Sequence, residues 1–160
     1  MYATYEDYIQ LYGDGITEQE FVRLGMQVER SMDIATTGID NVKKLKVAFP
    51  EENREAIMFC ACQMVNLAKQ ISDAEAASGY VAGKNGLQGK AVASMSAGNE
   101  SISFSSGSAA ITEAAFNAEK KGKLLLSAAK EYLSGLEDAN GVNLLYMGAY
   151  PYVPRHDNNI

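Results

Sequence analysis

Apolar residues recur at helical spacing along three long stretches of the chain. In the first, Phe21, Leu24, Val28, Met32 and Ala35 step by threes and fours, which places them on one face of a helix. Thr17-Glu18-Gln19-Glu20 precedes them as a capping box: the Thr17 hydroxyl takes the Glu20 amide and the Glu20 carboxylate reaches back. This helix is predicted to run to about Thr37 and to stop at Gly38 through a positive φ. The second stretch starts at Pro50, with Glu51 and Glu52 in its first turn, where negative charge suits the helix dipole. Ile57, Cys60, Ala61, Met64, Leu67, Ala68 and Ile71 fill one face, and Met58, Phe59, Cys62 and Val65 widen it. So broad a stripe predicts burial on more than one side.

The third stretch, opened by Ser105-Ser106-Gly107-Ser108 and closed by Gly135, carries Ile111, Ala115, Ala118, Gly122, Leu125, Ala129 and Tyr132 at alternating steps of four and three, a heptad seam. Its alanines and glycine let another backbone approach closely. A seam inside the bundle is expected, with a contact between subunits at Ala115, Ala118 and Gly122 as the alternative. Before these helices, Tyr2, Tyr5, Tyr8 and Tyr12 share a face of a short helix that Asp14-Gly15 closes. It reads as a packed flap or a subunit contact. Lys43-Lys44-Leu45-Lys46 lies between two acidic helices and reads as a solvated surface.

The period changes to two between the second and third stretches. Ser94, Ser96, Ser101 and Ser103 alternate with other residues on both sides of Ala97-Gly98-Asn99, which predicts a β-hairpin over about residues 91–105. Residues 79–91, with four glycines, read as loop. The hairpin's polar alternation suits display to a partner or a lumen better than burial. At the C-terminal end, Val142, Leu144, Leu145, Tyr146, Met147, Tyr150, Pro151, Tyr152, Val153 and Pro154 form a proline-broken aromatic run. Such a run is expected to be extended. It either covers its own bundle or docks on a partner, and residues 149–160 fit the partner better. The expected fold is mainly α: a bundle of three long helices plus a short N-terminal helix, with the small hairpin between helices two and three. It forms one helical domain over residues 1–148 and an extended tail over 149–160.

Composition narrows the function. A chain of 160 residues with net charge −6 does not carry the dense basic field that gripping duplex DNA requires. Cys60 and Cys62 sit two apart on a helix and face opposite sides, so they read as reduced core residues. No apolar run reaches the length of a membrane span. Gly83-Lys84 and Gly89-Lys90 lack the spacing and the Ser or Thr of a phosphate loop. The one histidine, His156, lies in the tail, and no nucleophile has a base at a useful spacing. The expectation is a non-enzyme with no cofactor and no metal. Soft side chains at Met58, Cys60 and Met64 keep a small-ligand-binding bundle open as an alternative, beside a non-viral helical adaptor.

Several segments, taken in order, resemble the head-tail connector proteins of long-tailed bacteriophages, also called adaptor or head-completion proteins. They are Tyr2-Ala3-Thr4-Tyr5-Glu6-Asp7-Tyr8, Ile16-Thr17-Glu18-Gln19-Glu20-Phe21 and Arg30-Ser31-Met32-Asp33-Ile34-Ala35-Thr36-Thr37-Gly38. The alanine-rich second helix and the hairpin follow. Tyr132-Leu133-Ser134-Gly135 and Leu144-Leu145-Tyr146-Met147-Gly148 complete the series. The resemblance implies a helical subunit of a homo-oligomeric ring, typically of twelve copies, beneath the portal protein of a filled capsid. That ring extends the DNA channel and meets the next neck or stopper protein. It implies a place in the virion neck after synthesis in the host cytoplasm, with no membrane partner. On this reading Ser94, Ser96, Asn99 and Ser101 line the channel or a subunit boundary, where DNA passes without sequence-specific binding. Tyr150, Pro151, Tyr152, Val153 and Arg155 meet the portal, and Ala115, Ala118 and Gly122 form the ring interface.

Overall fold

Helix α1, Tyr5–Tyr12, is set by Thr4, whose hydroxyl accepts from the Asp7 amide while the Asp7 carboxylate accepts from the Thr4 amide at 2.8 Å. The reciprocal capping box therefore forms here. At Thr17 only half of it forms. The hydroxyl accepts from the Glu20 amide at 3.3 Å, but the Glu20 carboxylate turns to Arg23. Gly13, with φ 76°, closes α1 one residue ahead of Asp14-Gly15. The computed structural model describes residues 1–77, 81–83, 86–88, 94–97, 100–103 and 106–151, with only the backbone described for Ala77, the strands and residues 106–108.

Helix α2, Glu18–Thr36, buries Phe21, Leu24, Val28, Met32 and Ala35 as its periodicity predicts. It ends on Thr37 in an extended conformation, so the stop at Gly38 through positive φ does not occur. Gly38 matters for a different reason. A Cβ built there would lie 2.5 Å from the carbonyl oxygen of Gly148. The position is reserved for glycine by the close approach of the C-terminal segment.

A four-residue helix α3, Lys44–Val47, leads through Pro50 and a 3-10 turn, Glu51–Asn53, into α4, Arg54–Ala77. Cys60, Ala61, Cys62, Met64 and Val65 are all buried, so α4 is enclosed on more than one side. The Cys60 Sγ lies 3.9 Å from the Met64 Sδ, and burial pushes the Cys60 and Cys62 thiols up to about 12 and about 11. Both are inert core residues.

Among the described residues, four short strands follow α4. β1, Val81–Gly83, pairs antiparallel with β2, Gly86–Gln88, within the stretch expected to be loop. β3, Ser94–Ala97, pairs with β4, Glu100–Ser103, and opposes Ser94 to Ser103 and Ser96 to Ser101.

The third helical stretch is two helices, α5, Ser106–Phe116, and α6, Ala118–Tyr132. Asn117 divides them. Its backbone is extended, and its side-chain oxygen accepts from the amides of Glu119 and Lys120 at 2.9 and 3.2 Å. An N-cap inside the heptad pattern ends one helix and starts another. The seam cannot continue across it. α2, α4 and α6 pack on one another, and α5 packs on α4 and α6.

One turn is built twice. After α2, Asn41 takes φ 60°, its amide donates to the Gly38 carbonyl, and Thr37 bridges Lys43. After α6, Gly141 takes φ 74°, its amide donates to the Asp138 carbonyl, and Glu137 bridges Asn143. In each, a valine amide one residue on donates to an aspartate of the turn: Val42 to Asp40, and Val142 to Asp138. The left-handed position takes Asn or Gly, the residues that tolerate it.

Two glycines test the packing. Gly38→Ala is expected to destabilise the chain by about 2 kcal/mol, because a backbone carbonyl cannot move aside as a side-chain tip can. Gly122→Ala, with open space where its Cβ would go, is expected to stabilise the exposed helix by about 0.5–1 kcal/mol. Urea unfolding of both variants gives the two signs.

Candidate functional site

The Lys44 ammonium is fully buried at the start of α3. It donates to three main-chain carbonyls, those of Thr36 at 2.9 Å, Leu144 at 3.2 Å and Tyr146 at 2.5 Å. Three donors meet three acceptors, so the buried cation is fully satisfied. The reading of Lys43–Lys46 as solvated surface fails at this residue. Leu45 beside it is buried in the core, but the other two lysines stay exposed: Lys43 pairs with Asp33 at 3.4 Å, and Lys46 pairs with Glu29 and lies over the Tyr2 ring. Burial draws the Lys44 pKa below its ordinary value, and Asp40 and Asp138 oppose that shift.

Tyr150 closes the same region and corrects the expected tail boundary. It is 5% exposed and packs on Ala48 and Val142. Its hydroxyl donates to Asp138 Oδ2 at 2.5 Å and accepts from Asn140 Nδ2 at 2.8 Å. Its amide donates to Asp40 Oδ2 at 2.5 Å. A residue this deeply held by its own chain is not free for a portal, so the helical domain extends to at least Tyr150. The Tyr150 amide is the first cause holding the Asp40 carboxyl below the usual aspartate range. Pro151 is exposed, whereas Tyr152, Val153 and Arg155 lie outside the described residues.

The expected ring-interface residues divide. Ala115 is buried against Ile71 and Ala114 and belongs to the internal core. Ala118 and Gly122 are exposed, on the wall of an open groove of about 460 Å³ between α2 and α6. Of the hairpin residues, Ser94, Ser96 and Ser101 take their places in β3 and β4, and Asn99 lies outside the described residues. Tyr2, Tyr5 and Tyr8 turn inward, while Tyr12 stays exposed. Tyr8 is buried, Tyr5 donates to the Ile16 carbonyl, and Tyr2 donates to Asp33 at 2.5 Å while stacking on Phe49. Of the residues of the ligand-pocket alternative, Cys60 and Met64 are buried in the core, whereas Met58 is half-buried and lines an open groove of about 480 Å³ with Tyr2, Asp7 and Glu55.

Two exposed faces were not legible as sites. Along α2, Val22, Met26, Arg30 and Ile34 repeat every four residues on the solvent side, and Met26 is 65% exposed. Arg30 and Ile34 form one wall of the α2–α6 groove, with Lys121, Gly122 and Leu126 opposite. In the 3-10 turn ahead of α4, Glu51 and Glu52 are exposed, and in the first two turns of α4 so are Glu55 and Phe59, the latter 44% exposed. Among the described residues no cluster of His, Cys, Asp or Glu is placed to hold a metal ion, and no helix is long and apolar enough to cross a membrane. No protein-family model, no curated protein and no solved structure matches the chain.

Lys44→Met is expected to cost about 3 kcal/mol, because it leaves three buried carbonyls without their charged donor. Lys123→Met, which breaks only an exposed pair with Glu119, is expected to change stability by less than about 0.5 kcal/mol. Chemical denaturation compares them. Asp40, with its carboxyl pKa lowered in the fold, adds stability above the ordinary aspartate value, and that stability is lost as pH falls through the folded value. The melting-temperature gap between wild type and Asp40→Asn is therefore expected to narrow from about pH 6 to about pH 3.

Proposed function

We propose that the chain is a structural subunit of a bacteriophage neck, forming a ring beneath the portal that extends the DNA channel and joins head to tail. One observation carries this reading. Three of the segments that resemble head-tail connectors, 2–8, 30–38 and 144–148, are distant in sequence and meet in the fold. Tyr2 donates to Asp33, the Ile39 amide beside Gly38 donates to the Met147 carbonyl at 2.9 Å, and Lys44 gathers Thr36, Leu144 and Tyr146. Parts of the resembling segments thus supply the carbonyls that surround Lys44.

The chemistry is consistent with that role. Net charge −6 opposes adhesion of a passing phosphate backbone. The hairpin of β3 and β4 offers neutral serines to the channel or to a subunit boundary. Residues beyond Pro151, with Tyr152, Val153 and Arg155, supply the attachment to the portal. Tyr150 remains in the folded domain.

The test is recruitment to portal rings from the same phage. Purified chain is expected to co-sediment with them in a fixed ratio, and a chain truncated after Pro151 is expected to keep its helical circular dichroism but lose at least about tenfold in portal affinity. Failure of the full chain to bind portal at about 10 μM contradicts the neck reading.

A further inference from the structure

We infer that Tyr152, Val153 and Pro154, which lie outside the described residues, dock back on the apolar patch of Ile39, Tyr146 and Met147 on their own domain, and that this contact competes with their attachment to a partner. The contact within the chain stands apart from the neck reading; its consequence for the portal rests on that reading.

The patch is apolar where the convergence beneath it is polar. Ile39 is 80% exposed, Met147 53% and Tyr146 49%. They lie together. The Ile39 amide donates to the Met147 carbonyl at 2.9 Å. The Tyr146 hydroxyl stands where a Cβ on Gly148 would go, and the Gly148 carbonyl closes on Gly38. The main chain here is spent inward, on Lys44 and on the Ile39 amide, and the side chains are left to water. One exposed apolar side chain needs no account, but three that meet mark a contact site.

Reach identifies the occupant. Tyr150 is pinned beside the patch. Its amide donates to Asp40, the residue after Ile39, and it packs on Ala48 and Val142. Pro151, next in the chain, is exposed. Tyr152, Val153 and Pro154 follow it. Three residues span at most about 11 Å, which keeps them beside the patch. Val22 and Met26 are exposed as well, but they lie roughly 21 and 15 Å back along α2 from Thr36. A ring, a branched side chain and a proline match the patch in kind. Pro151 and Pro154 also limit the freedom that docking removes. A tethered segment needs little intrinsic affinity, because its effective concentration at the patch is of millimolar order. A separate chain has no such advantage. The same three residues cannot lie on the patch and on a partner at once. A partner then binds only the fraction of chains whose segment is released.

Disulfide trapping in the full chain tests the contact, at about 1 μM so that closure within a chain outruns closure between chains. Cys60 and Cys62 are buried and do not compete. Ile39→Cys with Val153→Cys is expected to close within one chain at least about tenfold faster than Met26→Cys with Val153→Cys. Equal rates overturn the inference. So does a bond between chains, which would give the patch to another copy. Methyl NMR of the full chain gives a reading without new cysteines. Tyr152→Ser with Val153→Ser is expected to shift the Met147 methyl and leave that of Met26 in place, because only Met147 loses an adjoining ring. A Met147 methyl that stays put counts equally against the contact. The competition is read on portal rings. Ile39→Ser with Met147→Ser removes the patch, keeps the segment and is expected to raise portal affinity at least about threefold. Both side chains are exposed, and unchanged circular dichroism shows that this variant remains folded. Affinity that is unchanged or weaker, in a chain that does bind portal, overturns the competition. A chain that closes the disulfide but ignores the portal contradicts only the neck reading. One that binds the portal without closing the disulfide contradicts only this contact.

Discussion

The fold depends on how one ammonium group is satisfied. Lys44 is taken out of water by the elements that surround it, and a buried cation without partners would be prohibitive. Its three partners are carbonyls from the end of α2 and from two residues of the C-terminal segment. The full set of three is supplied only when both segments are in place. The burial of one side chain thus makes residues 144–150 part of the domain rather than an appendage. The close approach at Gly38, the Ile39 to Met147 hydrogen bond and the Tyr150 amide on Asp40 follow from the same convergence.

The twice-built turn explains how the convergence is reached. α2 and α6 pack together, and each is followed by a turn with a left-handed residue and an aspartate that accepts a valine amide. The two turns then meet. Asp40 of the first receives the Tyr150 amide, Asp138 of the second receives the Tyr150 hydroxyl, and both carboxylates favour the charged form of Lys44. Tyr150 fastens the pair, and Ala48 and Val142 provide its apolar seat.

Local pattern revealed what local chemistry decides. The faces of α2 and α4 could be read from spacing, because each buries its stripe against neighbours of the same kind. Asn117 was legible in principle, since an Asn followed by Glu119 in a first turn is an N-cap signal, but the regular heptad steps on either side masked it. Lys44 was not legible. Within Lys43–Lys46 nothing marks one lysine from the next, and its partners lie up to 102 residues away. Tyr150 looked detachable because Pro151 follows it, while its polar partners, Asp40 and Asp138, are remote or lie across a turn. The seam expected inside the bundle is buried at Ala115 but exposed at Ala118 and Gly122.

The central claim is that the C-terminal segment is held as one cooperative unit with α2 through Lys44. Native-state hydrogen exchange measures this directly, residue by residue. The account predicts that the amides of Ile39, Leu144 and Tyr150 open with the same free energy as Leu24 and Val28 in the centre of α2, and only when the whole domain unfolds. If those three amides exchange through a separate, low-energy opening while the α2 centre stays protected, the segment is a detachable strap and the account is contradicted.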